Sequence, residues 1–441
     1  MEPSAFAAPR NRAAELALAV YLSALDAVRA DTLVRRALRI EGDVLAIGDV
    51  RVARSSFDRV VLVGAGKAAC GMARAVEEVL SGLPIEGVVV TKHGHADALE
   101  RVRVLEAGHP VPDAASVAGG RAVAEAAAAA GERDLALCLI SGGASAIVEL
   151  PEEGVSLEDL RATTEALLRA GAPIEELNAV RATLSRLKAG GLARLAAPAR
   201  VVALVLSDVL GNPLEVIGSG PCVGTAPDPA RARQVLRDRG LWDRVPQAVR
   251  DRIDRAPAPS PARTSPADHV LVGDLWSAIE AAKSAAVEKG LRPIVLTGWL
   301  QGEAREVGGV FGAMLRDLPR TARDTGFDCL IAGGETTVTV TGTGVGGRSQ
   351  ELALAAARAA AGVRDVALIA AGTDGTDGPT DAAGALVDGD TLRRGDLGGR
   401  SAGAALAAND SHPYLEAAGA LVKTGPTHSN VGDLVIAVTA R

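Results

Sequence analysis

Residues 59–69 read RVVLVGAGKAA. A run of valine and leucine passes into Gly64 and Gly66, then into alanines of high helix propensity. The expected local structure is a strand, a tight glycine turn and a helix. The same pattern recurs along the chain. Further strands are expected at 87–91, 103–106, 136–140 and 200–206, with helical stretches such as 68–80 and 114–130 between them. Strands that are apolar throughout, separated by helices, predict a parallel sheet buried on both faces.

The stretch 256–267, APAPSPARTSPA, breaks this alternation. Proline at such density fits neither a helix interior nor a central strand, so this is the expected linker. Beyond it strands are expected at 269–272, 293–296, 329–332, 336–341, 365–370 and 434–438. The result is two α/β domains, 1–265 and 266–441. A chain of 441 residues accommodates this division.

Composition excludes several classes. A net charge of −7 gives no basic stripe for nucleic acid, and 2% aromatic residues give no row of stacking platforms. No apolar run is long enough to span a membrane. The N-terminal stretch carries charges inside its apolar residues and reads as an amphipathic helix, not a signal peptide. Cys70, Cys138, Cys222 and Cys329 lack metal-ligand spacing, which fits a reduced, cytoplasmic setting.

Many of the fifty glycines fall in loops after expected strands, where open α/β sheets bind ligands. Gly64-Ala65-Gly66-Lys67-Ala68-Ala69 fits the G-x-G-x-x-A form of a dinucleotide loop, with N–H groups at a helix start. No acid follows the next strand to hold a ribose, and Walker A spacing is absent. Ser141-Gly142-Gly143 is expected to form an anion nest or a close helix–strand contact. Asp208, in the loop with Asn212, stands where a metal-associated carboxylate or a turn-capping Asp is expected. Gly333-Gly334-Glu335 leads to Arg348, a cation at a helix start. That position opposes the helix dipole unless an anion bridges the two. Thr373, Asp374 and Asp377 lie in a loop whose acids are spaced to hold Mg²⁺ or cap turns, not to form an EF-hand. His93 and His95 are two apart on a loop and lack helical zinc spacing.

Taken together, GAGKAACGMA (64–73), SGGASA (141–146), NAVRATLSRLKAGGLA (178–193), SDVLGNPLEVIGSGP (207–221), AGGETTVTVTGTGVGGRSQELALA (332–355) and AGTDGTDGPTDAAGA (371–385) resemble the glycerate 2-kinase family, the class with a C-terminal MOFRL domain. The likeness covers nearly the whole chain. It implies a larger Rossmann-like N-terminal domain, a smaller α/β domain and a cleft between them. The implied reaction is ATP-dependent, Mg²⁺-assisted phosphorylation of D-glycerate at its 2-hydroxyl. It also implies catalytic roles for Lys67 and Arg348. On this basis Gly64, Gly66, Ser141, Gly142, Gly143, Asn212, Gly333, Gly334, Glu335 and Thr373 are expected to contact substrate or nucleotide. Asp208 and Asp374 are the expected metal carboxylates. The last loop departs from the family's GPTGTNVND, reading GPTHSNVGD at 425–433. Relatives of this family have also carried the name hydroxypyruvate reductase, so an NAD(P)H-dependent reductase is the alternative. A two-domain glycerate sensor is a third reading, weakened by Lys67 and Arg348. The sequence leaves the oligomeric state open, a homodimer among the options.

Overall fold

The computed structural model of the chain describes residues 9–257 and 267–440, so most of the expected linker, 258–266, lies outside the described residues. The chain forms two compact units. One is Ala30–Val272, and the other joins the residues from Gly273 onward to the segment ending at Arg29.

In the first unit, β1 (Leu38–Glu41), β2 (Val44–Ile47) and β3 (Val50–Ala53) make an antiparallel meander. The main sheet contains β4 (Arg59–Ala65), β5 (Ile85–Lys92), β6 (Val102–Ala107), β7 (Asp134–Ile140), β8 (Arg200–Leu206) and β9 (Asp268–Gly273). Their order is β6-β5-β4-β7-β8-β9, and each pairing from β6 to β8 is parallel. Counted from β4 this is 3-2-1-4-5-6, the Rossmann order. The chain reverses direction across the sheet between β4 and β7, so their carboxyl ends flank the switch point where such sheets bind ligands. Every residue of β7 is buried, as its unbroken apolar sequence predicts. Four helices, at Leu157–Arg169, Ile174–Leu184, Pro229–Asp238 and Gln247–Arg255, pack around a separate core of Leu160, Leu167, Val180, Leu236 and Val249.

The second unit holds β10 (Pro293–Leu300), β11 (Cys329–Gly334), β12 (Val366–Gly372), β13 (Gly384–Asp388), β14 (Leu421–Val422) and β15 (Asp433–Thr439). Their order is β10-β11-β15-β12-β13-β14. Only β10–β11 is parallel; the remaining pairings are antiparallel, so the sheet is mixed. Because β15 runs against both neighbours, its first residue, Asp433, registers beside Gly334 at the end of β11 and Gly372 at the end of β12.

The division differs from a single cut at residue 265. The helix Arg12–Ala27 belongs with the C-terminal residues, where it packs on the helix Leu275–Glu288 and on β12 and β15. Ala13, Ala17, Val20, Tyr21 and Ala24 are fully enclosed there, and the Tyr21 hydroxyl donates to Gly372 O at 2.7 Å. Conversely β9, expected to open the second domain, is the edge strand of the first sheet beside β8. The expected strand at 336–341 is not formed. Its donors find other acceptors: Thr337 N–H meets Gly302 O, Thr339 N–H meets the Glu303 carboxylate, and Thr341 N–H meets Asn409 Oδ1. Among the described residues no helix is long and apolar enough to cross a membrane.

Candidate active site

The loop after β4 lies against the loop after β7. Gly64 faces Leu139 so closely that a Cβ would sit 2.7 Å from its carbonyl oxygen. Gly66 has φ +131°, and a Cβ there would fall 2.1 Å from Ser141 Oγ and 2.5 Å from Ser141 O. Both glycines are therefore required for backbone contact. The expected anion cradle at this helix start does not form, because its donors are already engaged. Gly66 N–H meets Val90 O, Lys67 N–H meets Gly142 O, Ala68 N–H meets Ser141 Oγ and Ala69 N–H meets Gly66 O. What the loop presents is a half-buried Lys67, on backbone pinned to the neighbouring loop.

Ser141 is fully buried; its N–H donates to Ala65 O and its hydroxyl braces Ala68. Gly143 has φ +84°, and the His109 ring covers it. Asp208 is half-buried just beyond β8. Asn212 adopts φ +55°, a left-handed conformation that Asn tolerates, with its N–H on Val209 O. His93 Nε2 is 2.8 Å from Asp113 Oδ2, so it pairs with the carboxylate that caps the helix Ala114–Ala128.

In the second unit, Arg348 opens the helix Arg348–Ala359. The conflict with the helix dipole is resolved by carboxylates. Arg348 Nε donates to Asp433 Oδ2 at 2.6 Å, Nη2 to Asp433 Oδ1 at 3.2 Å and Nη1 to Glu335 Oε1 at 2.6 Å. Burial works to lower the guanidinium pKa, but Asp433 above all, with Glu335 and Asp377, outweighs it and holds the pKa above its ordinary value. The helix N-terminus is capped from another loop. Asp377 accepts from Ser349 N–H at 3.1 Å and Gln350 N–H at 2.8 Å. Gly347 makes room for that carboxylate, since a Cβ there would lie 2.2 Å from Asp377 Cγ. Burial, then the charge of Asp433, pushes the Asp377 pKa up to about 7 against the pull of the two N–H donors.

Two expectations for this unit change. Gly333 and Gly334, expected to contact substrate or nucleotide, are the last residues of β11, paired with Leu434 and Asp433, and lie against Leu275 and Leu300. Thr373 does not present its hydroxyl to a ligand. It is fully buried, donates to Gly432 O at 2.8 Å and accepts from Val431 N–H at 2.9 Å, tying down the last loop. Asp374 Oδ1 accepts from Thr376 N–H at 3.0 Å, the turn-capping role. Sequence reasoning missed Asp433, although its place as the first residue of the last strand was a usable signal. The departure at Gly432 suits its φ of +104°, whereas His428 occupies φ +56° with a full side chain.

The fold and these loops define a two-unit α/β protein with one cation-bearing loop cluster in each unit. Residues 16–254 match the family described as a domain of unknown function (DUF4147), and residues 328–433 match the MOFRL family. A D-glycerate 2-kinase of Thermotoga maritima is 43% identical over 383 residues, 86% of this chain and 91% of that protein. A putative hydroxypyruvate reductase of Agrobacterium vitis is 40% identical, over 85% of this chain and 98% of its own. The crystal structure of a glycerate kinase from Thermotoga maritima superposes with a TM-score of 0.83 at 41% identity, covering 97% of this chain and 99% of that one. The chain belongs to the glycerate 2-kinase family.

Proposed function

We propose that this protein transfers the γ-phosphoryl group of ATP to the 2-hydroxyl of D-glycerate, giving 2-phosphoglycerate and ADP. The observation that carries the reading is similarity running through both units to a D-glycerate 2-kinase. The geometry supports a kinase over a hydride-transferring reductase. A dinucleotide pyrophosphate needs the N–H groups of the first glycine loop, and those of Gly66 to Ala69 are engaged within the protein.

Phosphoryl transfer rests on positioning and on neutralising charge that spreads over the transferring group. Lys67 supplies a cation from a loop pinned at the switch point, and its rigid backbone lowers the cost of positioning it. Arg348 supplies a planar fork that cannot deprotonate, held in orientation by Asp433 and Glu335. The N–H groups of Gly142 and Gly143 are the proposed donors to substrate oxygens, with Asn212 beside the loop after β8.

Among the described residues no three His, Cys, Asp or Glu side chains gather to hold a metal. Mg²⁺ does not need such a cage, since one or two carboxylates and the substrate phosphates suffice. Asp208, just beyond β8, is the first candidate to hold it and Asp374, just beyond β12, the second. When bound, Mg²⁺ would offset charge on the phosphates. A cytoplasmic setting belongs to the same proposal, the four cysteines being buried and free.

The test is one pair of assays. D-glycerate with ATP and Mg²⁺ should yield ADP and 2-phosphoglycerate, identified by its phosphorus resonance. Hydroxypyruvate with NADH or NADPH should leave the cofactor reduced. Oxidation of the nicotinamide without ADP formation in the first assay would replace the kinase with the reductase.

A further inference from the structure

The helix Ile174–Leu184 carries Asn178 and Arg181 three residues apart, hence on one face. That face meets the short helix Ala144–Ile147, just beyond β7, at Ser145 and the helical turn Ile217–Ser219 at Ser219. Arg181 Nη2 donates to Ser145 O at 2.9 Å. Lys188 Nζ donates to the same oxygen at 2.9 Å and pairs with Glu149 Oε2 at 2.9 Å, both side chains being 2% exposed. Glu149 is completed by the Ser185 hydroxyl and by Leu150 N–H. Lys188 and Glu149 thus neutralise each other, and burial pushes the lysine pKa down to about 8.

Arg181 is left over. Among the described residues it forms no ion pair with a carboxylate, and its one hydrogen bond goes to a carbonyl that Lys188 shares. The side chain is half-buried, and burial lowers the guanidinium pKa despite the charge of Glu149. A guanidinium cannot shed its proton in a protein, so a partly buried one without a carboxylate is suited to an anion. Beside it, Asn178 Oδ1 accepts from the Ser219 hydroxyl at 3.1 Å, while Asn178 Nδ2 is buried with no hydrogen-bond partner. Ser219 holds φ +63°, a left-handed conformation uncommon for serine, and its hydroxyl is 2.6 Å from that of Ser145. A strained residue, an unmatched cation and an unmatched amide donor therefore meet beside the switch point. Together they carry the signature of a missing ligand.

We propose that Arg181, with Asn178 Nδ2, binds the carboxylate of the small hydroxy-acid substrate. One uncompensated planar fork and one amide match a single planar carboxylate. A triphosphate would call for several free cations, and the adjacent lysine is already neutralised. The inference rests on the kinase reading for the identity of the acid.

The experiment compares wild type, Arg181→Met, Arg181→Lys and Asn178→Leu on D-glycerate, on its uncharged amide, glyceramide, and across ATP concentrations. Loss of a charge-assisted bond of this kind corresponds to a roughly hundredfold effect. Arg181→Met should raise KM for D-glycerate by about that factor, leave KM for ATP within about threefold and remove the preference for glycerate over glyceramide. Arg181→Lys should restore part of that preference. Asn178→Leu, which keeps the branched outline and the neutral charge, should raise KM for D-glycerate about tenfold and serves if Arg181→Met does not fold. An unchanged KM for D-glycerate in folded Arg181→Met or in Asn178→Leu would overturn the proposal. So would an effect confined to ATP, which would make this a phosphate site. If wild type does not phosphorylate D-glycerate, the kinase reading fails. The carboxylate site is then judged by calorimetric titration of D-glycerate into wild type and Arg181→Met: binding to wild type alone supports it, and equal or no binding overturns it.

Discussion

The Asp433→Asn substitution tests whether the carboxylate clamp sets the position of Arg348. Asp433 is the larger half of the clamp: two bonds, at 2.6 and 3.2 Å, from a side chain only 13% exposed. Asparagine keeps one acceptor, and its NH₂ faces a guanidinium that has no acceptor to offer. One charge-assisted bond is therefore lost and the other weakened. Such bonds contribute about 1.5–3 kcal/mol each. The Arg348 side chain is 35% exposed, so water recovers part of that loss. A net destabilisation of about 1–2 kcal/mol follows. Glu335 still holds Nη1, so the arginine should remain but swing about that contact. A small displacement of a charge-stabilising group costs on the order of tenfold to hundredfold in turnover. The assays are urea unfolding for stability and steady-state kinetics with D-glycerate and ATP, where the loss should fall on kcat. Glu335→Gln is the internal control: its side chain is 50% exposed, and its removal should cost no more than about 0.5 kcal/mol. If Asp433→Asn keeps kcat within twofold, or if Glu335→Gln is the more damaging change, the clamp does not position Arg348.

Lys67→Ala and Arg348→Ala should each lower kcat by on the order of a hundredfold or more, and unchanged turnover in either removes that residue from the mechanism. Asp377 predicts a pH dependence of stability. Its folded pKa, about 7, lies above its value in the unfolded chain, so the native state binds the extra proton. Its contribution is complete in acid and falls as pH rises through 7, with a slope of up to about 1.4 kcal/mol per pH unit. Asp377→Asn should flatten the stability profile between about pH 4 and 7, and an unaltered slope in chemical unfolding contradicts the assignment. Gly66→Ala should destabilise by roughly 2–4 kcal/mol, because the new methyl meets the Ser141 carbonyl and φ is +131°. A thermal midpoint equal to wild type would show that the two loops are not locked together.

Much of the fold was legible because strands buried on both faces announce themselves. The apolar runs at 59–63, 136–140 and 200–206 lie inside β4, β7 and β8. The stretch 336–341 misled because threonine and valine favour strands only where a neighbour accepts their N–H groups. Here Gly302, Glu303 and Asn409 take those donors first. The N-terminal helix was legible as a helix, but hydrophobic burial is non-directional, and its composition could not say which sheet it covers.

The sequence by itself determined where the loops fall, since Gly64, Gly66 and Gly347 stand where no Cβ fits. It also carried the family resemblance and the two cations, Lys67 and Arg348. Only the tertiary structure decided what those loops do. Hydrogen bonds are short and directional, and the partner of a given group can be any acceptor the fold brings near. Asp433, 85 residues from Arg348, is placed by the antiparallel register of β15, and the N–H groups of Gly66, Lys67 and Ala68 are filled by a strand and a loop distant in sequence. Arg181 was one arginine among many until the fold paired Lys188 with Glu149 and left it without a carboxylate among the described residues.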